Sequence, residues 1–275
     1  MSKPILGLII LLPAIGAAQS GWTRTPGTGY ARFSFSTLGS SSFYTPFGNK
    51  ISSARYRDFT GSFYSEYGIT DDWTASVNFP FLRNHRLDST SSLTAVGDAV
   101  VGIRRRLVRG KTPLALAVDF GLPVGDSQGT VSIRDLPDGT FRLPTGDGEF
   151  NTRVSLYTSR AFREGKSVVS GGGGYNFRTR GFTDEFSYTA SYGQRLSRSV
   201  SISATLTGLE PARAADASRA VGFGVGEGVA FLGIGGEAQY RINKRHSVSA
   251  AYYKPLRGKN LLAGGVLVFG FGIAF

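Results

Sequence analysis

The sequence predicts an all-β fold, namely an antiparallel, up-and-down transmembrane β-barrel of about 12 strands. Three observations predict it. Segments in which apolar and polar side chains alternate recur along the chain, the connections between them alternate in length, and no apolar run approaches the ~20 residues of a membrane-spanning helix. The 275 residues include 38 Gly, 20 Phe and 12 Tyr but no Cys, a composition that suits one barrel and excludes disulfides and thiolate metal sites.

Twelve segments show the period of two that places alternate side chains on opposite faces of a strand. In the segment that begins at Trp73, the side chains of Trp73, Val77 and Phe81 are apolar. Those of Thr74 and Asn78 are polar, as expected for a strand with one face in lipid and the other in a lumen. The predicted strands are Tyr30–Leu38, Tyr56–Tyr67, Trp73–Leu82, Ala95–Leu107, Leu114–Val124, Phe150–Phe162, Val168–Arg178, Phe186–Leu196, Val200–Leu209, Val229–Ile242, Val248–Leu256 and Leu261–Phe275.

The connections between these segments alternate in length, except that the last one is short. A barrel with both chain ends in the periplasm has short turns on that side and longer loops outside, whereas a β-sandwich has no reason to segregate its loops by length. The short predicted turns are Gly68–Asp72, Val108–Pro113, Arg163–Ser167, Ser197–Ser199 and Asn243–Ser247. The remaining connections are Gly39–Arg55, Arg83–Thr94, Gly125–Glu149, Thr179–Glu185, Glu210–Gly228 and, as the exception, Arg257–Asn260.

The N-terminal residues have the pattern of a secretory signal peptide. A short basic start is followed by an apolar run, Ile5–Ile15, and then by small residues. We expect residues 1–20 to be a signal peptide and residues 21–275 to form a single barrel domain. Cleavage after Ala18 or Ser20 fits this pattern. The apolar run is too short for a membrane anchor, and no Cys follows it to carry a lipid.

Large and small side chains alternate in the last residues, where Leu267 and Phe269 begin a series of large residues at every second position. This resembles the closing strand of bacterial outer-membrane barrels, in which a C-terminal Phe on the lipid side is a recognition signal for the barrel-insertion machinery. The resemblance implies an outer-membrane location in a Gram-negative bacterium and the barrel-assembly machinery as a partner. The implied assembly signal consists of Phe271, Ile273 and Phe275.

The formal net charge of +12 at pH 7 bears on the expected partners. In a soluble protein such a charge favours nucleic acid, but in an exported chain the expected anionic partners are lipopolysaccharide and anionic solutes. With two His and no Cys, no metal site is expected, and no nucleotide or phosphate-binding motif indicates a cofactor. We therefore expect membrane lipid, lipopolysaccharide and a small-molecule solute as partners, and no nucleic acid.

Charged residues on the inner parity of the strands form the candidate lumen. A charge on the lipid face costs about 2–4 kcal/mol near the midplane, so charged side chains should face inward. Two interpretations stay open: Arg–carboxylate pairs that only brace the wall, or a mildly basic, wet passage that favours anions or polar aromatic solutes over cations. The candidate pore-lining residues are Arg32, Asp58, Glu66, Asp98, Arg104, Arg106, Asp119, Arg153, Arg178, Arg195, Glu237 and Arg241.

The connection Gly125–Glu149 is the longest one and the candidate gate. Twelve strands lie between the packed eight-stranded barrel and the open sixteen-stranded porin, so a narrow pore and a lumen closed by an inward-folded loop are both compatible with the sequence. A surface loop that contacts lipopolysaccharide is an equal alternative. The charged residues of the candidate gate are Arg134, Asp135, Asp138 and Arg142.

No catalytic site is expected. A serine nucleophile needs a neighbouring His and an orienting polar group. His85 falls in a predicted loop and His246 in a predicted periplasmic turn, and neither lies within a strand near an outward-facing Ser. The sequence therefore favours a barrel that is not an enzyme.

Glycine-rich motifs in the middle of the chain resemble one family of barrels in their order and spacing. Ala95–Arg104 resembles the strand motif GD-x-x-x-G-x-(K/R) of the family named after the MetA pathway of phenol degradation. Leu116–Asp126 resembles that family's strand ending in Leu-Pro-x-Gly-Asp, and Pro144–Asn151 and Gly172–Phe177 resemble its next elements. Members are outer-membrane transporters, often encoded beside genes for degrading aromatic compounds. The resemblance extends from about Phe59 to the C-terminus and implies a porin-like or uptake channel without naming a substrate.

The predicted function is therefore an outer-membrane channel or transporter for small hydrophilic or aromatic solutes, some of them anionic. Two alternatives remain at this point. One is a closed structural or adhesive barrel, and the other is a soluble periplasmic β-protein that binds a ligand.

Overall fold

The computed structural model describes residues 20–134, 136, 138–214, 220–222 and 225–275. Residues 1–19 of the predicted signal peptide and Asp135 of the candidate gate lie outside this part. Twelve long antiparallel strands form a closed barrel, which confirms the predicted fold class. Among the described residues, no helix is both long and apolar enough to cross a membrane.

Each long strand pairs antiparallel with its neighbour in sequence, and the last strand pairs with the first. This seam runs from Tyr30 opposite Ala274 to Leu38 opposite Val266 and closes the barrel. Closure satisfies the backbone hydrogen bonds of both edge strands, as a membrane-spanning sheet requires. The strands are β1 (Gly29–Tyr44), β2 (Lys50–Gly68), β3 (Trp73–Leu87), β4 (Ala99–Val108), β5 (Leu114–Leu122), β6 (Asn151–Phe162), β7 (Ser167–Arg178), β8 (Glu185–Arg195), β9 (Val200–Pro211), β10 (Ala230–Arg241), β11 (His246–Lys259) and β12 (Val266–Ala274).

The first hairpin is longer than the sequence predicts. β1 continues to Tyr44 and β2 begins at Lys50, whereas the alternation of side chains stops at Leu38 and resumes at Tyr56. The added residues pair with one another and with the short strand Leu261–Leu262. Most of the added residues are polar. A strand without an apolar face shows no alternation of apolar and polar side chains, so the sequence does not predict it.

The predicted strand Leu261–Phe275 divides into two. Leu261–Leu262 pairs with the end of β1, and β12 begins only at Val266. Leu261, Leu262 and Ala263 are all buried, at 4%, 2% and 3% exposure. Three successive side chains cannot be buried on one face of a regular strand, because successive side chains point to opposite faces. The chain therefore leaves strand geometry before β12.

The loop between β5 and β6, residues 123–150, is here called the closing loop. It contains a small hairpin of two short strands, Thr130–Ser132 and Thr140–Arg142. An isolated bridge between Thr90 and Ile133 ties this hairpin to the chain segment that follows β3. The closing loop thus has internal structure and a fixed contact with a neighbouring segment.

The outer face of the barrel is apolar. Its apolar residues form a belt around the barrel. At the end of the belt where the short turns lie, the Arg105 guanidinium lies 5.3 Å from the centroid of the Trp73 ring. Arg and Trp side chains prefer the level of the lipid headgroups. A closed barrel with an apolar belt is the architecture of outer-membrane proteins, so the protein lies in the outer membrane and the soluble periplasmic alternative is wrong. Exposed members of the belt include Phe33, Phe35, Ile103, Leu156, Ile202, Leu206, Ile234, Leu267, Phe269 and Phe271.

Tyrosine rings cross the inner wall over glycine residues. A Cβ atom on Gly235 would lie 1.8 Å from the Tyr253 ring, and one on Gly172 would lie 2.2 Å from the Tyr157 ring. Both tyrosines are buried. The missing side chains let these rings lie along the wall, and the rings in turn narrow the interior.

Candidate solute path through the barrel

A buried ion pair crosses the barrel seam. The Arg32 guanidinium of β1 contacts Glu237 of β10 at 3.1 Å and donates a hydrogen bond to the Ser249 hydroxyl of β11 at 2.8 Å. Arg32 and Glu237 are 2% and 8% exposed. Removing two charges from water costs several kcal/mol per ion, so each charge needs the other. Arg32 therefore links β1 to β10 and β11 across the intervening β12.

Glu66 of β2 is the centre of a second buried group. It accepts hydrogen bonds from Arg104 of β4 at 2.7 Å, from Arg24 at 2.8 Å and from the Tyr64 hydroxyl at 2.5 Å. Glu66 and Arg104 are 3% and 5% exposed. Arg104 is therefore both paired and buried in this group.

The residues before β1, Ser20–Thr28, cross the periplasmic end of the barrel. The Gly21 N–H donates to the Ser159 hydroxyl of β6 at 2.9 Å, and the Thr23 hydroxyl donates to the Asp71 carbonyl at 2.7 Å. The segment thus fills the side of the opening between β2 and β6. The sequence analysis missed it because its residues show no alternation, and local pattern does not reveal which coil segment folds into a lumen.

The other side of the periplasmic end holds an open vestibule between β7 and β10. Its cavity volume is about 80 Å³, and one side is open to solvent. Gly193, Ser201 and Ser203 line it with little bulk, and Glu237 and Gln239 line it on β10. Its cationic residues are Lys166, Arg195, Arg198 and Arg241.

The extracellular half of the interior is filled by an apolar cluster that the sequence analysis missed. Val131 and Leu143 of the closing loop are 3% and 1% exposed and pack against apolar side chains from several sides of the barrel. The sequence contains one indication of this cluster, because Leu38 is apolar between the inward-facing polar residues Ser36 and Ser40. The wall residues of the cluster include Leu38, Tyr56, Leu87, Leu209, Phe231, Ala251, Tyr253, Val266 and Val268.

Arg178, at the end of β7, holds the returning end of the closing loop. Its guanidinium contacts Glu149, Asp147 at 3.1 Å and Glu185 at 2.7 Å. The Phe182 ring packs on the same guanidinium, with 4.7 Å between the ring centroid and Cζ. Three carboxyl groups share one cation, so the docked loop depends on Arg178 more than on any single carboxyl.

Asp98, in the coil before β4, holds both ends of the closing loop. Its carboxyl oxygens accept the N–H groups of Gly125 at 2.9 Å and of Asp147 at 3.1 Å. Burial and the neighbouring Asp147 carboxyl raise the pKa of Asp98 to about 7. Burial also raises the pKa of Glu149 to about 8, and it outweighs the opposing effect of Arg178. Both carboxyl groups lie outside the strands and titrate near neutral pH.

Arg83 of β3 is a third anchor for the closing loop. It donates to the Thr145 carbonyl at 2.6 Å and contacts Asp58 at 3.5 Å. The prediction that His85 lies in a loop is wrong, because β3 continues to Leu87 and buries the His85 ring at 1% exposure. This end of the strand shows no alternation in the sequence, because Asn84 and Arg86 on the opposite face are polar as well.

The structure distributes the candidate pore-lining residues over several settings. Arg195 and Arg241 line the vestibule, Asp98 lies in the coil described above, and Arg106 pairs with Asp72 at 2.9 Å near a short turn. Contact of these residues with a solute remains a prediction. Those buried inside the barrel are Arg32, Asp58, Glu66, Arg104, Asp119, Arg153, Arg178 and Glu237.

The candidate gate residues Arg134, Asp138 and Arg142 are exposed, and Arg142 donates to the Ser127 carbonyl at 2.8 Å. The contacts that dock the loop come from its other residues, as described above. The three residues of the implied assembly signal lie on the outer parity of β12 or directly after it, and their recognition by the assembly machinery remains a prediction. They are Phe271, Ile273 and Phe275.

Comparison with known proteins relates the fold to outer-membrane barrels. No protein-family model matches the sequence, and no curated protein matches it. An outer membrane channel from Pseudomonas putida F1 is similar in structure, with a TM-score of 0.72 and 13% identity over 92% of this chain and 97% of that one. The translocator domain of autotransporter NalP from Neisseria meningitidis has a TM-score of 0.50 and 13% identity, over 93% and 90% of the two chains. The described chain thus has the fold of an outer-membrane β-barrel.

Proposed function

We propose that the protein is a gated outer-membrane channel for small hydrophilic or aromatic solutes, including anionic ones. The observation that carries this proposal is the asymmetry of the interior. A basic vestibule opens toward the periplasm, whereas the opposite half is closed by the docked closing loop. A purely structural barrel has no need of an open vestibule, and the movement of one loop would connect the two ends.

The contacts that dock the closing loop are of a kind that can release. Asp98, Arg83 and Arg178 hold its backbone and carboxyl groups by hydrogen bonds and ion pairs, and Val131 and Leu143 contribute apolar contacts. No covalent link between the loop and the wall exists, since the chain has no Cys. Loops and lids of this kind move on microsecond to millisecond timescales in other proteins.

The lining of the closed half supports the aromatic part of the proposal. Release of the loop would leave inward-facing leucine, valine and tyrosine side chains along the path, including Leu38, Val268 and Tyr253. Apolar walls with a few polar groups favour compact apolar or aromatic solutes. The resemblance of the sequence motifs to the family named after phenol degradation supports the same solute class. The similar structure from Pseudomonas putida F1 is an outer membrane channel, which supports the channel function and names no solute.

A closed structural barrel is the second candidate. The apolar packing of Val131 and Leu143 and the buried Arg32–Glu237 pair favour it, because both rigidify the interior. We further propose no catalytic activity, assembly through the C-terminal aromatic signal, and contact of the exposed outer loops with lipopolysaccharide.

The proposal is tested by single-channel recording of the protein purified from outer membranes, in planar bilayers with a salt gradient. Heat-modifiable migration on a gel establishes that the sample is a folded barrel. We expect discrete transitions between closed and conducting states, with a reversal potential that indicates anion preference. Folded, inserted protein without any transition would refute the gated channel and leave the structural barrel.

A further inference from the structure

Four cationic side chains surround the vestibule at the periplasmic end. They come from consecutive short turns and strand ends: Lys166 from the β6–β7 turn, Arg195 and Arg198 from the end of β8 and the turn after it, and Arg241 from the end of β10. Antiparallel pairing of the neighbouring strands β7, β8, β9 and β10 brings these four residues to one cavity.

Backbone hydrogen bonds hold these turns together. The Arg195 N–H donates to the Lys166 carbonyl at 2.7 Å, which ties the β6–β7 turn to β8. The Arg241 N–H donates to the Ser199 carbonyl at 2.8 Å, and the Arg241 guanidinium donates to the Arg198 carbonyl, which ties the β8–β9 turn to β10. The positions from which the four cationic side chains extend are therefore fixed before any ligand arrives.

No carboxylate neutralises these cations within the described part of the chain. Glu237 also lines the cavity, but its carboxylate is already paired with Arg32 at 3.1 Å. By contrast, Arg104 and Arg178, which the sequence analysis also named, are buried in ion pairs. Like charges that converge on one cavity repel one another, and a bound anion would remove this repulsion.

The remaining lining is polar and small. Ser201, Ser203 and Gln239 supply hydroxyl and amide groups, and Gln239 is itself oriented by a hydrogen bond from its amide to the Ser247 hydroxyl at 3.3 Å. Arg guanidinium groups bind carboxylate and phosphate oxygens in a planar, two-point geometry. The cavity thus combines several cations with neutral hydrogen-bonding groups around a volume of about 80 Å³ that is open to solvent on one side.

We propose that this vestibule is a binding site for small anions that carry two or more charges, such as phosphate groups and di- or tricarboxylates, held by Lys166, Arg195, Arg198 and Arg241. This inference rests on the proposed function only in naming the charge of the solute, because the vestibule is open to the periplasm whether or not the channel conducts. It also assigns anion selectivity to the vestibule and not to the buried arginines.

The test is the binding of citrate to the detergent-solubilised full-length protein, measured by isothermal titration calorimetry at low and physiological salt. We expect one class of site whose affinity falls as ionic strength rises. In the double variant Arg195→Gln and Arg241→Gln, the affinity should fall at least tenfold. The matched control, Lys244→Gln and Arg245→Gln on the neighbouring turn, removes the same charge outside the cavity and should stay within twofold of the unmodified protein.

Equal affinity in the vestibule variant and the unmodified protein, or an equal loss in the control, would overturn the proposal. So would the absence of citrate binding by protein that migrates as a folded barrel. Bilayer recording distinguishes failure of the proposed anion site from failure of the proposed channel. Citrate binding without conductance would leave the site and refute the channel, whereas conductance that citrate neither blocks nor alters from the periplasmic side would leave the channel and refute the site.

Discussion

Gly146 of the closing loop packs directly on the carboxyl group of Asp98: a Cβ atom at Gly146 would lie 2.3 Å from the Asp98 Oδ1. The two ends of the loop pass over this one side chain, which accepts the N–H groups of Gly125 and Asp147. The docked state therefore depends on a close approach that only glycine permits at residue 146.

Replacement of Gly146 should release the closing loop. In Gly146→Ala the new methyl group collides with the Asp98 carboxyl, so we expect a higher open probability in single-channel recordings and faster hydrogen exchange of the amides of residues 125–147. The control is Gly171→Ala, where the nearest atom, the Thr189 carbonyl oxygen, lies 3.5 Å from the new Cβ. An open probability equal to that of the control would show that this contact does not dock the loop.

The docked state should weaken as pH rises. In the docked loop the pKa values of Asp98 and Glu149 are about 7 and about 8, against ordinary values of 3.8 and 4.5. A released loop has the ordinary values, so the docked state binds more protons between roughly pH 4 and 8 and loses stability as pH rises across that window. Open probability should increase over this range and level off above it. A flat profile in the unmodified protein, or an unchanged profile in Asp98→Asn, would contradict this account.

Removal of Arg178 should open the channel while the barrel stays intact. Arg178→Gln leaves Asp147, Glu149 and Glu185 without the cation they share, and loss of one partner from a buried charged group costs about 3–5 kcal/mol. We expect this cost to be relieved by undocking of the loop, which returns two of the carboxyl groups to water. Arg142→Gln, on the exposed part of the same loop, is the control. Recordings in which both variants behave alike would argue against Arg178 as an anchor.

The β6–β7 turn offers a prediction on stability. Glu164 has φ = 56° in the left-handed region, which costs non-glycine residues about 1 kcal/mol or more. Glu164→Gly should relieve this strain and raise the free energy of unfolding by roughly 0.5–1 kcal/mol, whereas Glu164→Ala should not. Urea unfolding of the two variants in the same detergent measures the difference. A gain in the Ala variant would assign the effect to the lost charge.

The sequence predicts the barrel much better than it predicts the interior. Side-chain alternation indicates which residues face lipid, because burial in lipid imposes it on every strand. The ends of the twelve predicted strands lie within six residues of the observed ends. The interior depends on which segments fold inward. Val131 and Leu143 meet Leu38 and Val268 only after barrel closure, and no local period records that meeting.

The charged residues show the same division. The alternation of apolar and polar side chains predicts that Arg32 and Glu66 face inward, but it does not show that both are paired. Arg195 and Arg241, by contrast, have no carboxylate partner among the described residues. The difference arises from the N-terminal segment and the seam, which fill one side of the barrel and leave the other open.

The central claim, that the closing loop is the gate, is tested most directly by a reversible disulfide. The Ser91 and Ser132 hydroxyls lie 3.1 Å apart, and the chain has no native Cys, so Ser91→Cys with Ser132→Cys should form one bond between the loop and the segment after β3. We predict that single-channel transitions disappear in the oxidised protein and return on reduction, with Ser91→Cys alone unaffected. Transitions that persist unchanged in the fully oxidised protein would contradict the claim.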